Sequence, residues 1–283
     1  MWRVPQPQHT ATESFRTCIS RVKDKQLKER LQKSEGQIIA AGQSYVAAAQ
    51  TTKLHDLTPA DFRPDDVTTS EMVTVYKSRM AKKGAAGRAI YDDIVLSAKE
   101  GRCPLCGQRQ VSTLDHHLPK SVFPALAVDP LNLVPACSDC NRLKLDVAPD
   151  CAEDETLHPY FDDVEQQAWL YAEVIESTPA ALRFFVTAPA GWGDVLTRRV
   201  ELHFKRFGLA ALYAAQAAQE IGNIRYRLNQ LHAALPEGGA QRVRQYLEEE
   251  AESRRRAYLN SWQTAAYAAL AASSWFCDGG FEL

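Results

Sequence analysis

The chain has 283 residues, enough for one large or two modest domains. Apolar residues make up 45% of it, ample for a core, and a net charge of −2 argues against a wholesale polyanion binder while leaving room for local patches. No apolar run is long enough to span a bilayer, and the opening MWRVPQPQHTATES has no apolar segment of the secretory kind. Four of the seven cysteines stand in two Cys-x-x-Cys pairs, and Cys18, Cys151 and Cys277 stand alone. That usage fits a reducing compartment better than a disulfide framework, so the expected location is cytoplasmic.

Residues 1–11 are polar, contain proline and are expected to be loose. From Ser14 to Gln50 the residues Phe15, Ile19, Val22, Leu27, Leu31, Ile38 and Ile39 recur at helical spacing, with Gly36 and Gly42 as candidate breaks. The many Lys and Arg between them read first as a solvated face and second as an arm for a nucleic-acid backbone. Residues 51–69, with Pro59 and Pro64, read as a connector. Thr69 or Ser70 is expected to cap a helix from Glu71 to Lys82, and a second short helix should run from Ala86 to Lys99. The cluster Lys77, Arg79, Lys82, Lys83 and Arg88 lies here. Gly101 should end this helical region.

Cys103/Cys106 and Cys137/Cys140 follow, each pair able to present two sulfurs to one metal. Together they predict a closed tetrahedral Zn²⁺ site, structural because no coordination position stays open. Between the pairs, residues 108–114 read as a strand leading into Asp115-His116-His117. Pro119 and Pro124 frame a loop, Asn132 to Val134 reads as a return segment, and Ser138 to Leu145 as a helix. After an acidic stretch (Asp150 to Glu165), residues 167–176 and 181–188 read as a hairpin. Three helices then follow, Val195 to Phe207, Ala210 to Leu235 and Gln241 to Trp275. The second should end at Pro236-Glu237-Gly238-Gly239, and the third carries i,i+4 pairs Glu250/Arg254 and Glu252/Arg256. The Ala-rich faces of the last two suit close packing, within the chain or in a homodimer.

The fold class expected is α+β and mostly helical, with a small zinc-stabilised ββα module and a β-hairpin between N- and C-terminal helical regions. The expected domains are 1–100 (helical), 101–162 (zinc module) and 163–283 (hairpin and helices).

The loop between the cysteine pairs holds residues of chemistry. A histidine beside an acid supplies a base and a metal ligand together, which is what metal-assisted phosphodiester hydrolysis needs. Asp115-His116-His117-Leu118-Pro119, Asn132-Leu133 and Cys137-Ser138-Asp139-Cys140-Asn141-Arg142-Leu143-Lys144 resemble the motif of the HNH endonucleases, in the zinc-bearing branch of the ββα-metal fold. The resemblance covers about residues 103–146, with a weaker echo at His158-Pro159. It implies that His116 is the general base, that Asp115 and Asn141 bind a catalytic divalent metal, and that Asn132 braces the loop and orients His116. Asn141 stands where many members have histidine, which tilts the metal toward Mg²⁺ or Mn²⁺. Arg142 and Lys144 would touch phosphate, and Lys120 could reach it. His117 is either a substrate contact or, with the register shifted by one, the base. His158 either approaches the metal or packs in the core. His9, His55, His203 and His232 show no partner pattern.

What the resemblance implies is a nuclease acting on nucleic acid, DNA ahead of RNA, and leaving a 5′-phosphate. The layout is also similar to HNH effectors of anti-phage systems of the Septu and retron-associated kind, which implies an ATPase partner and a role in antiviral defence. The alternative is a non-catalytic, zinc-stabilised module for binding nucleic acid or protein.

Overall fold

The computed structural model describes residues 1–233 and 238–282. The expected helix end at Leu235 and the turn at Pro236-Glu237 lie outside the described residues. The chain is mostly helical, with two small antiparallel sheets, and forms two compact units, Met1–Asp163 and Val164–Leu283.

The first unit begins with α1 (Ala11–Ile19), α2 (Lys25–Lys33) and α3 (Glu35–Gln50). The breaks fall at Ser20–Asp24 and Ser34, not at the glycines. The Asp24 carboxylate accepts from the Leu27 amide and starts a new helix there, whereas Gly36 and Gly42 lie inside α3. Gly42 has a packing reason: a Cβ would stand 2.7 Å from Asp129 Oδ2. α4 (Thr69–Val75) is capped one residue earlier than expected, by Thr68. Its hydroxyl accepts from the Glu71 amide while the Glu71 carboxylate accepts from the Thr68 amide. A wider turn, Tyr76–Ala81, continues α4, and α5 (Arg88–Leu96) follows.

Several basic residues of this region are engaged by acids. Arg16 pairs with Glu35, Arg30 with Glu71, Lys33 with Asp66 and Arg88 with Asp92. Lys77, Lys82 and Lys83 are exposed.

β1 (Thr113–His116) pairs antiparallel with β2 (Leu133–Ala136), with Asp115 opposite Val134 and His116 opposite Leu133. α6 (Ser138–Lys144) follows directly, so the local order is strand, strand, helix. This module does not stand apart from residues 1–100: Leu114, Leu118, Phe123, Leu126 and Leu133 share one core with Phe15, Leu31, Tyr45 and Met72.

One further expectation is corrected. The first residues are not loose, since Met1, Trp2 and Val4 are buried, the Trp2 amide donates to the Pro104 carbonyl at 2.8 Å and the Val4 amide to that of Pro159 at 3.0 Å. Apolar side chains at alternate positions outweigh the prolines around them. Within the acidic stretch Glu155 is buried, accepts from the His55 amide and pairs with the His55 ring at 2.7 Å.

In the second unit β3 (Leu170–Ile175) and β4 (Ala181–Val186) form the expected hairpin. α7 (Asp194–Arg206) and α8 (Leu209–Ala233) come next. The expected last helix is two, α9 (Gly239–Ala257) and α10 (Trp262–Ala272). The break exists for Asn260, whose Oδ1 accepts from the Trp169 and Leu170 amides while its Nδ2 donates to the Gln167 carbonyl, fastening the start of β3. Both i,i+4 ion pairs of α9 form. Ala217 and Ala251 are buried within this unit. No helix among the described residues is long and apolar enough to cross a membrane.

Candidate metal centre and the Asp115–His116 site

The four sulfurs of Cys103, Cys106, Cys137 and Cys140 lie within 4.8 Å of one another, and all four residues are buried. A tetrahedral Zn²⁺ with Zn–S near ~2.3 Å needs sulfurs about 3.8 Å apart, so the cluster fits a metal such as zinc. The backbone prepares the sulfurs: Cys106 Sγ accepts from the Arg109 amide and Cys137 Sγ from the Cys140 amide. The second contact also caps α6, so one side chain serves helix and cluster. Hydrogen bonds from Cys103 come first among the influences that push the thiols of Cys106 and Cys137 toward ionisation, while Cys103 and Cys140 are pushed the other way by hydrogen bonds within the cluster. Arg109 on one knuckle pairs with Asp139 on the other at 2.9 Å. Gly107 closes the first knuckle at φ 62°, a conformation that favours glycine, with the Trp2 ring 3.2 Å from where a Cβ would be, a close approach that a side chain would crowd.

Along β1, side chains alternate between faces. Leu114 and His116 look toward the helical core, and Asp115 looks toward α6. The His116 ring meets Tyr76 edge-on at 4.4 Å and its Nε2 donates to the Ala127 carbonyl at 2.9 Å. A carbonyl only accepts, so the proton is on Nε2 and Nδ1 carries the lone pair. Burial, and then the charges of Lys120 and Lys144, push the imidazole down to about 3, which keeps it neutral.

Asn132 is fully buried. Its Oδ1 accepts from the Leu118 amide at 2.7 Å, its Nδ2 donates to the carbonyls of Leu118 and Leu126, and its own carbonyl accepts from the His117 amide. It therefore fixes both ends of the loop that presents Ala127 to His116.

Asp115 is 6% exposed, and its Oδ2 lies 3.3 Å from Lys144 Nζ. Lys144 is equally buried and donates to the His116 carbonyl at 2.7 Å. Burial raises the Asp115 carboxyl and Lys144 opposes that rise. The expectation that Lys144 reaches outward to phosphate is thus corrected: a long stem on the inner side of a short helix finds a buried carboxylate first. Asn141, one turn earlier on α6, is exposed, and what α6 brings to Asp115 is Lys144. As arranged, Asp115 does not present an open divalent-cation site. Arg142 is exposed beside Asp139, and Lys120 is half-buried over the Tyr76 ring at 5.6 Å.

His117 packs against His158, with ring centroids 4.1 Å apart and the planes tilted by 35°. His158 is buried. Its Nδ1 accepts from the Tyr160 amide and its Nε2 meets the Tyr45 hydroxyl at 2.8 Å, so it packs in the core, as one of its two expected roles required. Neither Tyr45, Tyr76 nor the Ala127 carbonyl was flagged by the sequence.

The chain is similar to protein ea31 of Escherichia phage lambda, 29% identical over 234 residues, which cover 79% of each chain. No protein-family model and no solved structure matches it.

Proposed function

We propose that the chain is an HNH-type endonuclease, a metal-dependent hydrolase of nucleic-acid phosphodiester bonds. The observation that carries this reading is the Ala127–His116 hydrogen bond. It fixes the tautomer of a buried, neutral imidazole at the end of β1, beside Asp115 and across from α6, on a loop clamped by Asn132. A neutral imidazole is the proton-accepting form, and a phosphodiester anion next to it would raise its basicity. His116 takes the proton of the attacking water through Nδ1, Asn132 holds the carbonyl that orients it, and exposed Arg142 and half-buried Lys120 bind phosphate. A Mg²⁺ or Mn²⁺ bound by Asp115 and Asn141 would neutralise charge on the phosphate. The exposed Lys77, Lys82 and Lys83 follow Tyr76, which touches His116, and would guide DNA toward the site. Zinc at the four cysteines has a structural role. In the wider reading the protein is a cytoplasmic anti-phage effector working with an ATPase partner, as a monomer or homodimer.

The test is cleavage of supercoiled plasmid and of single-stranded RNA with Mg²⁺, Mn²⁺ or EDTA, for wild type, His116→Ala and His117→Ala. Metal-dependent cleavage lost in His116→Ala, with zinc content and helicity unchanged, is the expected result. Full activity of a folded His116→Ala protein would remove His116 as the base.

The burial of Asp115 and His116 favours a second reading, a zinc-stabilised binding module in which these residues are structural. Tight nucleic-acid binding without cleavage under any metal would select it.

A further inference from the structure

We propose that the cleft between the start of α1 and α3 binds a small organic ammonium ion, with Asp129 as its anchor. This site does not depend on the nuclease reading. The cleft lies within the first unit and has a volume of about 490 Å³, an ordinary size for a small-molecule site. Asp129 lines it and is only 4% exposed. Its Oδ1 accepts from the Leu131 amide at 2.9 Å, and among the described residues its Oδ2 accepts no hydrogen bond. A carboxylate oxygen taken from water and given no donor is costly. Burial pushes this carboxyl up to about 6, which still leaves it ionised at neutral pH. Gly42 also lines the cleft, and a Cβ there would come within 2.7 Å of Oδ2, so the bare glycine keeps room beside that oxygen.

The lining selects the ligand's chemistry. Among the described residues no lysine or arginine lines the cleft. His9 does, but its ring nitrogens meet Glu13 at 3.1 Å and Asp93 at 2.9 Å, so it is not the partner of Asp129. The carboxylate therefore repels phosphates and carboxylates and favours a positively charged N–H donor. With Oδ1 taken by Leu131, one oxygen is open. A guanidinium or amidinium gains most by gripping both oxygens of a carboxylate, whereas an ammonium donates as a point charge to one. Ile39, Val46, Ala47 and Leu131 supply apolar surface for a hydrocarbon body behind the nitrogen. The walls are fixed by contacts of their own: the Thr10 hydroxyl caps α1 by accepting from the Glu13 amide, and the Ser14 hydroxyl donates to the Val128 carbonyl at 2.6 Å. An occupant would thus touch α1, α3 and the loop that presents Ala127 to His116.

The experiment is a ligand-observed NMR titration of the zinc-loaded full chain at neutral pH with four probes of similar body. They are phenethylamine, benzamidine, 2-phenylethanol and 3-phenylpropionate. Phenethylamine is expected to bind with a dissociation constant of about 1 mM or tighter, the alcohol at least tenfold more weakly, benzamidine in between, and the carboxylate not at all. Asp129→Asn keeps the shape and the acceptor for Leu131 while removing the charge. It is expected to weaken phenethylamine at least tenfold and to leave the alcohol unchanged. Ala47→Phe, an exposed change on α3 that fills the cleft, is expected to remove binding of the amine, and it decides the matter if Asp129→Asn does not fold. No binding of phenethylamine, binding no tighter than that of the alcohol, a preference for the carboxylate, or amine affinity unchanged by either variant overturns the proposal. None of these results bears on the nuclease reading.

Discussion

Asn132 satisfies three backbone groups of the loop after His117, and none of them has solvent nearby to replace it. Each buried polar group left unpaired costs about 1–3 kcal/mol, so Asn132→Ala is expected to lower stability by roughly 3 kcal/mol or more in urea denaturation. A loss under ~1 kcal/mol would mean that the loop is held elsewhere. Asp129, on the same loop, gives a pH signature. Burial pushes its carboxyl from 3.8 up to about 6, against the Leu131 amide that lowers it. Between those values the folded state holds a proton that the unfolded state has released, so this group's contribution is present below 3.8 and is lost as pH rises through 6. His116 acts oppositely: its imidazole is lowered from 6.5 to about 3, so its contribution is present above 6.5 and is lost as pH falls toward 3. In the window from about 4 to 6 the two slopes oppose each other. Asp129→Asn removes one of them, so the variant should lose more stability than wild type between pH 6 and pH 4. Parallel curves for the two proteins would refute the Asp129 assignment.

At this scale the sequence exposed Asp115, His116, Asn132 and the cysteines because their motif is local in the chain. It could not expose Ala127, since a backbone carbonyl carries no residue identity. It misplaced Lys144 because a lysine at a helix end reads as surface.

Among the elements, the knuckles bear most weight, because residues 101–111 have little regular structure and are tied to β2 and α6 through sulfur. Metal binding at such sites is folding energy, on the order of 10 kcal/mol. Cys137→Ser, which also weakens the cap of α6, is expected to reduce zinc below one per chain and to unfold the first unit at lower temperature. Elemental analysis with thermal denaturation checks both, and a zinc-free protein with unchanged melting would show that the cluster needs no metal. The strand-strand-helix order was legible from turn residues and cysteine spacing. The helix break at residues 258–261 was not, because it serves a distant partner. Asn260, for example, leaves the helical pattern in order to bind Trp169, some ninety residues away. The burial of Trp2 has the same cause, a contact with Pro104 that no local pattern announces.

For the whole molecule, the two compact units each carry their own core. Residues 164–283 alone should therefore give a helical, cooperatively unfolding protein by circular dichroism, and a disordered product would show that the unit depends on the first. If the proposed nuclease reading holds, nucleic-acid affinity should reside in residues 1–163. Replacing exposed Lys77, Lys82 and Lys83 with glutamate is expected to weaken DNA binding and flatten its dependence on salt. Affinity unchanged at low and high salt would remove this surface from the binding path. Net charge spoke against a general polyanion binder, but it could not separate basic residues engaged by acids, such as Arg30 and Lys33, from those left outward.

The first unit closes on itself: Val4 meets Pro159, Tyr45 meets His158, and the Tyr160 hydroxyl donates to the Leu133 carbonyl. For a chain emerging from the ribosome, this sets an order of events. At ~5–20 residues per second, the roughly 110 residues between the end of α3 and Tyr160 take about 5–20 s to appear. Through that interval α1–α3 wait with part of their apolar face uncovered, and His117 lacks the ring it packs against. The Asp115–His116 region is therefore completed only when the unit is nearly whole, so a truncated nascent chain carries the motif without the assembled site.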